Sequence, residues 1–201
     1  MKIVIDGNIG SGKTTLLKNL NSTYNVITED IRLWRPWLNL FYKDIRHNSL
    51  GFQLRVLLSH LQNKNCDKDD YKEPYILERS PFTSIYVFGK LLEESGDLSK
   101  LEYDLCKEYA KTFGWEPDVY IYLCTNPTIC HKRIKKRDRD GEEAISLDYL
   151  TKVHNKYEEM VSFLKSSKSK NEKSHIYTIN ACNDDKTVLK EIINILNTIM
   201  S

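Results

Sequence analysis

The segment Gly7-Asn8-Ile9-Gly10-Ser11-Gly12-Lys13-Thr14-Thr15 has the spacing G-x-x-x-x-G-K-[ST], that of a phosphate-cradling loop. Glycines let backbone N–H groups converge on a phosphate without a Cβ in the way. A helix starting at the loop adds the partial positive charge of its N-terminus. Lys13 can then reach the β- and γ-phosphates, and the Thr14 hydroxyl can ligate Mg²⁺. The expected ligand is a nucleoside triphosphate. Further chemistry stands at Glu29-Asp30 and at Glu78-Arg79-Ser80. A carboxylate there could take a proton from an attacking hydroxyl. Glu78 offers a second carboxylate for Mg²⁺, and Arg79 a guanidinium for charge developing on a transferring phosphoryl group. A third element is the run Arg133-Ile-Lys-Lys-Arg137-Asp138-Arg139-Asp140. Arg133 and Arg137 are four apart on one predicted helix face, and Arg139 continues the same direction. Such a lid, over about 133–143, could close on a triphosphate. Asp138 and Asp140 count against a plain nucleic-acid patch.

These residues need a scaffold that brings strand ends together. Five short runs rich in Ile, Val, Tyr and Leu recur at Lys2–Asp6, Tyr24–Thr28, Tyr75–Glu78, Val119–Cys124 and His175–Asn180. Helical patterns separate them: Leu50–Gln62, with leucines at 50, 54, 57, 58 and 61, then Thr83–Leu92, Leu98–Phe113, Pro127–Lys136, Leu147–Leu164 and Lys186–Met200. That alternation predicts an α/β fold with a parallel sheet. In such sheets ligands lie at the carboxyl ends of the strands, where the loop, Glu29, Glu78 and Arg79 fall. The interval from Asp30 to Asn48, with Trp34, Pro36, Trp37, Phe41 and Tyr42, is weakly patterned. It reads either as an irregular pocket wall or as a loop packed on the core. Residues 166–173 read as a polar surface connection.

A length of 201 residues suits one domain spanning 1–201. With 30 Lys+Arg against 28 Asp+Glu, no overall field calls for nucleic acid or a membrane surface. No apolar run is long enough to span a bilayer. The first strand begins at once, leaving no room for a leader. The cysteines at 66, 106, 124, 130 and 182 show no CxxC spacing, which favours a reducing, cytoplasmic setting. His131 and His175 read as isolated, His154 as a residue that caps or packs within its helix, and no His/Cys grouping suggests zinc.

Taken in order, these motifs resemble the deoxyribonucleoside kinases of the deoxycytidine, deoxyguanosine and mitochondrial thymidine kinase type. The resemblance is carried by Gly7–Thr14, by Glu-Asp-Ile-Arg-Leu-Trp at Glu29–Trp34, and by Tyr42 with Phe52-Gln53. It continues through Glu78–Ser80, Arg133-x-x-x-Arg137-x-Arg139 and Leu147-x-Tyr-Leu-x-x-x-His154. It implies a P-loop kinase fold: a five-stranded parallel sheet with helices on both faces and an arginine-rich lid. It also implies a homodimer, for which Leu50–Gln62 and Leu98–Phe113 are the candidate helices.

The implied activity is transfer of the γ-phosphoryl group of ATP, with Mg²⁺, to a deoxynucleoside 5′-hydroxyl. By the same resemblance Glu29 is the general base, and Arg79 holds the hydroxyl and stabilises the transition state. Glu78 and Thr14 hold Mg²⁺, and Tyr42 and Glu142 grip the sugar 3′-hydroxyl. Gln53 pairs with the base, Trp34, Phe52 and Phe88 flank it, and Asp184 falls where the donor's adenine is wrapped. Members selective for deoxycytidine or deoxypurines carry an Arg seven residues after the Gln and an Asp six after the Glu. Here those positions are His60 and Ser84, which points to pyrimidine preference: thymidine first, then deoxycytidine. Two other readings stand beside this one. A thymidylate-type nucleoside monophosphate kinase would need an extra cationic site for the acceptor's phosphate. A nucleotide-dependent switch without turnover would lack an acceptor pocket.

Overall fold

The computed structural model describes residues 1–62, 74–139, 142, 145–167 and 175–200. Cys66, residues 140, 141 and 143 of the expected lid, and 168–173 of the polar stretch lie outside the described residues. The described residues gather into two compact units. One takes in 1–28, 74–78 and 117–200; the other takes in 29–62 and 79–116.

The first unit is built on a sheet of β1 (Lys2–Gly7), β2 (Asn25–Ile27), β3 (Tyr75–Glu78), β4 (Val119–Cys124) and β5 (His175–Asn180). All pairings are parallel, in the order β2-β3-β1-β4-β5. These are the five runs read from the sequence. Side chains alternate between the faces of a strand. Ile3, Ile5, Ile121 and Leu123 therefore share one face with Leu17 and Leu20 of α1 (Lys13–Leu20) and with Ile192 and Leu196 of α9 (Asp185–Met200), all fully buried. Each such side chain contributes about 1.5–3 kcal/mol by leaving water. Tyr120 and Tyr122 belong to the opposite face, against α8 (Leu147–Ser167). The Tyr122 ring stacks on Tyr157 of α8 at 5.4 Å between centroids and 12° between planes. Helices thus cover both faces. The fourth helix of this unit, α7 (Pro127–Arg137), begins where the Asn126 side chain accepts the Thr128 N–H at 2.9 Å, a favoured N-cap arrangement. Its Cys130 and Ile134 pack against Leu150 of α8.

The second unit is helical: α2 (Arg35–Lys43), α3 (Ile45–Gln62), α4 (Pro81–Thr83), α5 (Lys90–Glu94) and α6 (Lys100–Phe113). A π-helical turn, Ser84–Gly89, joins α4 to α5. Leu57, Ile85, Tyr103 and Cys106 form its buried core. The weakly patterned interval proves to be ordered: a 3₁₀ turn over Ile31–Leu33 followed by α2. Two signals for α2 were there to read. Pro36 suits a first helical turn, and Trp37, Leu40 and Phe41 stand at i, i+3 and i+4. α3 starts five residues before Leu50 because the Asp44 carboxylate accepts the His47 N–H at 3.1 Å. A capping box fixes the start of α6: Ser99 Oγ accepts the Glu102 N–H at 3.3 Å, and Glu102 Oε2 accepts the Ser99 N–H at 2.7 Å. Among the described residues no helix is long and apolar enough to cross a membrane.

Candidate active site

In the first unit the phosphate loop follows β1 and leads into α1, the context its sequence demands. Gly10 has φ +80°, and a Cβ there would stand 2.6 Å from the Cys130 carbonyl oxygen. Gly12, which precedes α1, has φ +101°, a conformation that side-chain-bearing residues rarely adopt. The loop curls around its own lysine. Lys13 Nζ donates to the carbonyls of Gly7 (2.8 Å) and Asn8 (2.9 Å) and to Ser11 Oγ (3.4 Å). Asn8 pins the loop to α8 through Nδ2 and the Leu150 carbonyl at 2.8 Å, while its Oδ1 accepts the Ile9 N–H at 2.8 Å. Thr14 Oγ1 donates to Glu78 Oε1 at 3.4 Å. These are two oxygen ligands of the kind Mg²⁺ takes.

Sequence reasoning passed over Asp6 as a site residue. Its fully buried carboxylate accepts the Gly7 N–H (2.7 Å) and the hydroxyls of Tyr120 (2.9 Å) and Tyr157 (2.7 Å). It anchors the root of the phosphate loop to β4 and α8. The available signal was an acid closing an otherwise apolar strand, since a charge so buried must be hydrogen-bonded.

The three arginines of the expected lid separate into two groups. Arg133 Nη1 donates to the Ser11 carbonyl at 3.1 Å, and both its Nη atoms reach the Ala181 carbonyl at 3.3 Å. It ties the phosphate loop to the end of β5. Arg137 makes a bidentate pair with Glu142 at 2.7 and 2.6 Å, and Arg139 stands 3.5 Å from the same carboxylate. Glu142 therefore holds both distal arginines. Asp184 caps α9, accepting the N–H groups of Lys186 and Thr187 at 3.1 Å and the Thr187 hydroxyl at 2.6 Å. The bonds from Thr187 keep its carboxyl below the usual range. Next to the loop a small crevice is lined by Thr15, Asn19, Ala181 and Asp185. His154, expected to cap or pack within its own helix, instead faces β4: the Tyr122 hydroxyl is 3.5 Å from its Nδ1, and it lies beside Cys124 and Glu158.

The second unit holds the rest of the predicted site. Glu29 and Arg79 form an ion pair at 3.3 Å, with side chains 12 % and 10 % exposed. The Arg79 guanidinium also sits over the Phe88 ring, 5.1 Å from its centroid, within cation–π range. Arg79 has φ +65°, a conformation that costs a side-chain-bearing residue about 1–2 kcal/mol. Strain of this kind is concentrated at functional positions. Trp34 meets Phe52 edge-on at 5.9 Å, and Phe41 joins Phe52 at 4.8 Å and Tyr42 at 5.6 Å. Gln53, His60, Ser80 and Ser84 are buried, and the His60 carbonyl accepts the Trp115 indole N–H at 2.9 Å. Trp34 Nε1 and Ser80 Oγ have no hydrogen-bond partner among the described residues. Groups so placed are costly unless something satisfies them.

Residues 3–201 match the family model for deoxynucleoside kinase. A fowlpox virus protein named as a probable deoxycytidine kinase is 34 % identical over 168 residues, covering 80 % of this chain and 72 % of that one. Mitochondrial thymidine kinase 2 of Macaca fascicularis is 33 % identical over 171 residues, 78 % of this chain and 63 % of that one. Among solved structures, a deoxyadenosine kinase from M. mycoides, determined with dCMP and dCDP bound, superposes with a TM-score of 0.83. It is 24 % identical, over 98 % of this chain and 100 % of that one, and it confirms the fold expected from the sequence. The phosphate loop, the parallel sheet that carries it and the match over nearly the whole length agree: this chain belongs to the deoxynucleoside kinase family and is a nucleoside-phosphorylating enzyme.

Proposed function

We propose that the enzyme transfers the γ-phosphoryl group of ATP to the 5′-hydroxyl of a pyrimidine deoxynucleoside, thymidine before deoxycytidine. The observation that carries this reading is the Glu29–Arg79 pair, largely withdrawn from water at 3.3 Å. A carboxylate held against a guanidinium is oriented and ionised, ready to accept the proton of a neutral hydroxyl. The guanidinium is ready to stabilise charge on the transferring group. The donor belongs to the first unit. Its phosphates would lie against the loop, Thr14 and Glu78 would hold Mg²⁺, and its base would lie near the cap formed by Asp184. Lys13 and Arg133 hold phosphate and loop; Arg137 and Arg139 meet the transferring group once Glu142 releases them. The acceptor belongs to the second unit. Gln53 would read the base edge with its paired donor and acceptor, flanked by Trp34, Phe52 and Phe88, and Tyr42 would reach the sugar. His60 and Ser84 leave the base without a buried Arg–Asp pair, which suits a pyrimidine carrying a 5-methyl group.

Among the described residues of the second unit no further buried Lys or Arg stands ready for an acceptor phosphate, which favours a nucleoside over a nucleoside monophosphate. A homodimer through α3 and α6 is supported by exposed apolar side chains there: Leu58 on α3, and Leu101 (81 % exposed) and Leu105 on α6. The deciding experiment offers the four deoxynucleosides and thymidine monophosphate with ATP and Mg²⁺, and follows product formation. The expected order by kcat/KM is thymidine, deoxycytidine, then the purines, with thymidine monophosphate inert. Faster turnover of deoxyadenosine or deoxyguanosine overturns the base preference. Turnover of thymidine monophosphate alone overturns the acceptor assignment.

A further inference from the structure

The packing of α8 on the sheet brings together one donor group of β4 and two of α8, about thirty residues away in sequence, that the proposed phosphoryl transfer does not use. Cys124 ends β4 and shares the sheet face of Tyr120 and Tyr122, the face against α8. On α8, His154 and Glu158 stand one helical turn apart, as i and i+4. One donor atom from each of the three residues lies within 4.8 Å of the others. We infer that Cys124, His154 and Glu158 form a binding site for a borderline-soft divalent cation, of which Zn²⁺ is the first choice.

The geometry suits that ion. At a tetrahedral zinc, with Zn–S about 2.3 Å and Zn–O about 2.0 Å, the sulfur and oxygen ligands are about 3.5 Å apart. Cys124 Sγ and Glu158 Oε1 are 3.5 Å apart already. One edge of the ligand triangle is therefore at its coordinated length, and side-chain rotation closes the other two. A thiolate, an imidazole and a carboxylate are a zinc-type set, unlike the all-oxygen shells of Mg²⁺ and Ca²⁺. Three protein ligands leave a fourth position for water.

The surroundings support it. The Tyr122 hydroxyl, 3.5 Å from His154 Nδ1, is placed as an outer-shell partner that fixes the imidazole. Among the described residues no Lys or Arg pairs with Glu158, although its neighbour Glu159 is paired with Lys156. The step is a proton exchange: the S–H bond breaks, the sulfur pair binds M²⁺, and the proton leaves to solvent without any oxidant. The bound ion would join β4 to α8 next to Tyr122, whose partner Tyr157 donates to Asp6 at the root of the phosphate loop. It would act as a staple within the first unit.

The test uses the full chain, freed of metal by a chelator and kept without Mg²⁺, with Co²⁺ as the spectroscopic probe. A thiolate-to-cobalt charge-transfer band should grow to saturation at one equivalent, release one proton, and be discharged by Zn²⁺. Cys124→Ser should abolish the band, and His154→Gln and Glu158→Gln should weaken Co²⁺ binding about tenfold or more. All three variants should retain metal-free circular dichroism like that of the parent; if Cys124→Ser does not fold, His154→Gln and Glu158→Gln decide. Absence of the band in the parent, or an undiminished band in the variants, overturns the assignment. Because the readout is metal binding, a negative result leaves the kinase reading untouched.

Discussion

Replacing Glu29 by Gln removes the charge at the proposed proton-accepting position while keeping shape and hydrogen-bonding capacity. At 3.3 Å from Arg79 and an effective dielectric constant near 20, the attraction lost is about 5 kcal/mol. Both charges also gave up hydration to reach that position, so the net cost to folding of stranding one of them is about 3–5 kcal/mol. The cost to catalysis is separate. Losing a positioned general base lowers turnover about 10²–10⁴-fold, or about 2.7–5.4 kcal/mol in the barrier. The two effects are separated by measuring kcat and KM for thymidine and ATP at a temperature where circular dichroism shows the variant folded. The expected result is kcat down by at least about a hundredfold with the affinity for ATP retained, because the contacts proposed for the donor belong to the phosphate loop. A variant that is folded and turns over within threefold of the parent would remove Glu29 from the proton transfer and refute the reasoning.

Lys13→Ala should abolish turnover and nucleotide affinity together, checked by ATP titration calorimetry, since the loop loses its only lysine. Glu142→Gln should weaken the hold on Arg137 and Arg139. If Glu142 also grips the sugar, the variant's preference for thymidine over 3′-deoxythymidine in kcat/KM should fall about tenfold. Gly89→Ala should raise KM for the nucleoside several-fold and leave KM for ATP alone. The added Cβ would lie 2.8 Å from the Ser84 carbonyl oxygen and spread the π turn that presents Ser84 and Phe88. Ser99→Ala should lower stability by about 1 kcal/mol by chemical denaturation. The Glu102 carboxyl in that capping box is held below its usual range, first by its bond with the Ser99 side chain. A depressed folded-state pKa stabilises above the unfolded pKa and ceases to do so as pH falls through the folded one. The difference between parent and variant should therefore shrink in acid.

The five strands were legible because each is a short β-branched or aromatic run bounded by turn residues, and the phosphate loop because local spacing alone encodes it. The α2 helix was harder: its stripe of Trp37, Leu40 and Phe41 mixes aromatic and aliphatic residues that also suit a pocket wall. The π turn leaves no compositional mark, since it depends on how Gly89 approaches Ser84. The distribution of the arginines was not legible either. Arg133 bonds main-chain carbonyls, which no side-chain pattern advertises, and Glu142 meets Arg137 from beyond the end of α7. Cys124, His154 and Glu158 approach one another only because α8 crosses the end of β4. A thirty-residue interval between the first two hides any such grouping from a search by spacing.

The internal bonds of Lys13 impose a threshold on what may enter the loop. Its ammonium is already satisfied by two carbonyls at 2.8 and 2.9 Å, so an arriving ligand has to displace neutral acceptors that sit at ideal range. Only a group with concentrated negative charge makes that exchange favourable. These bonds hold the loop in shape around its lysine, count against uncharged sugars and bases, and would yield to a polyphosphate tail.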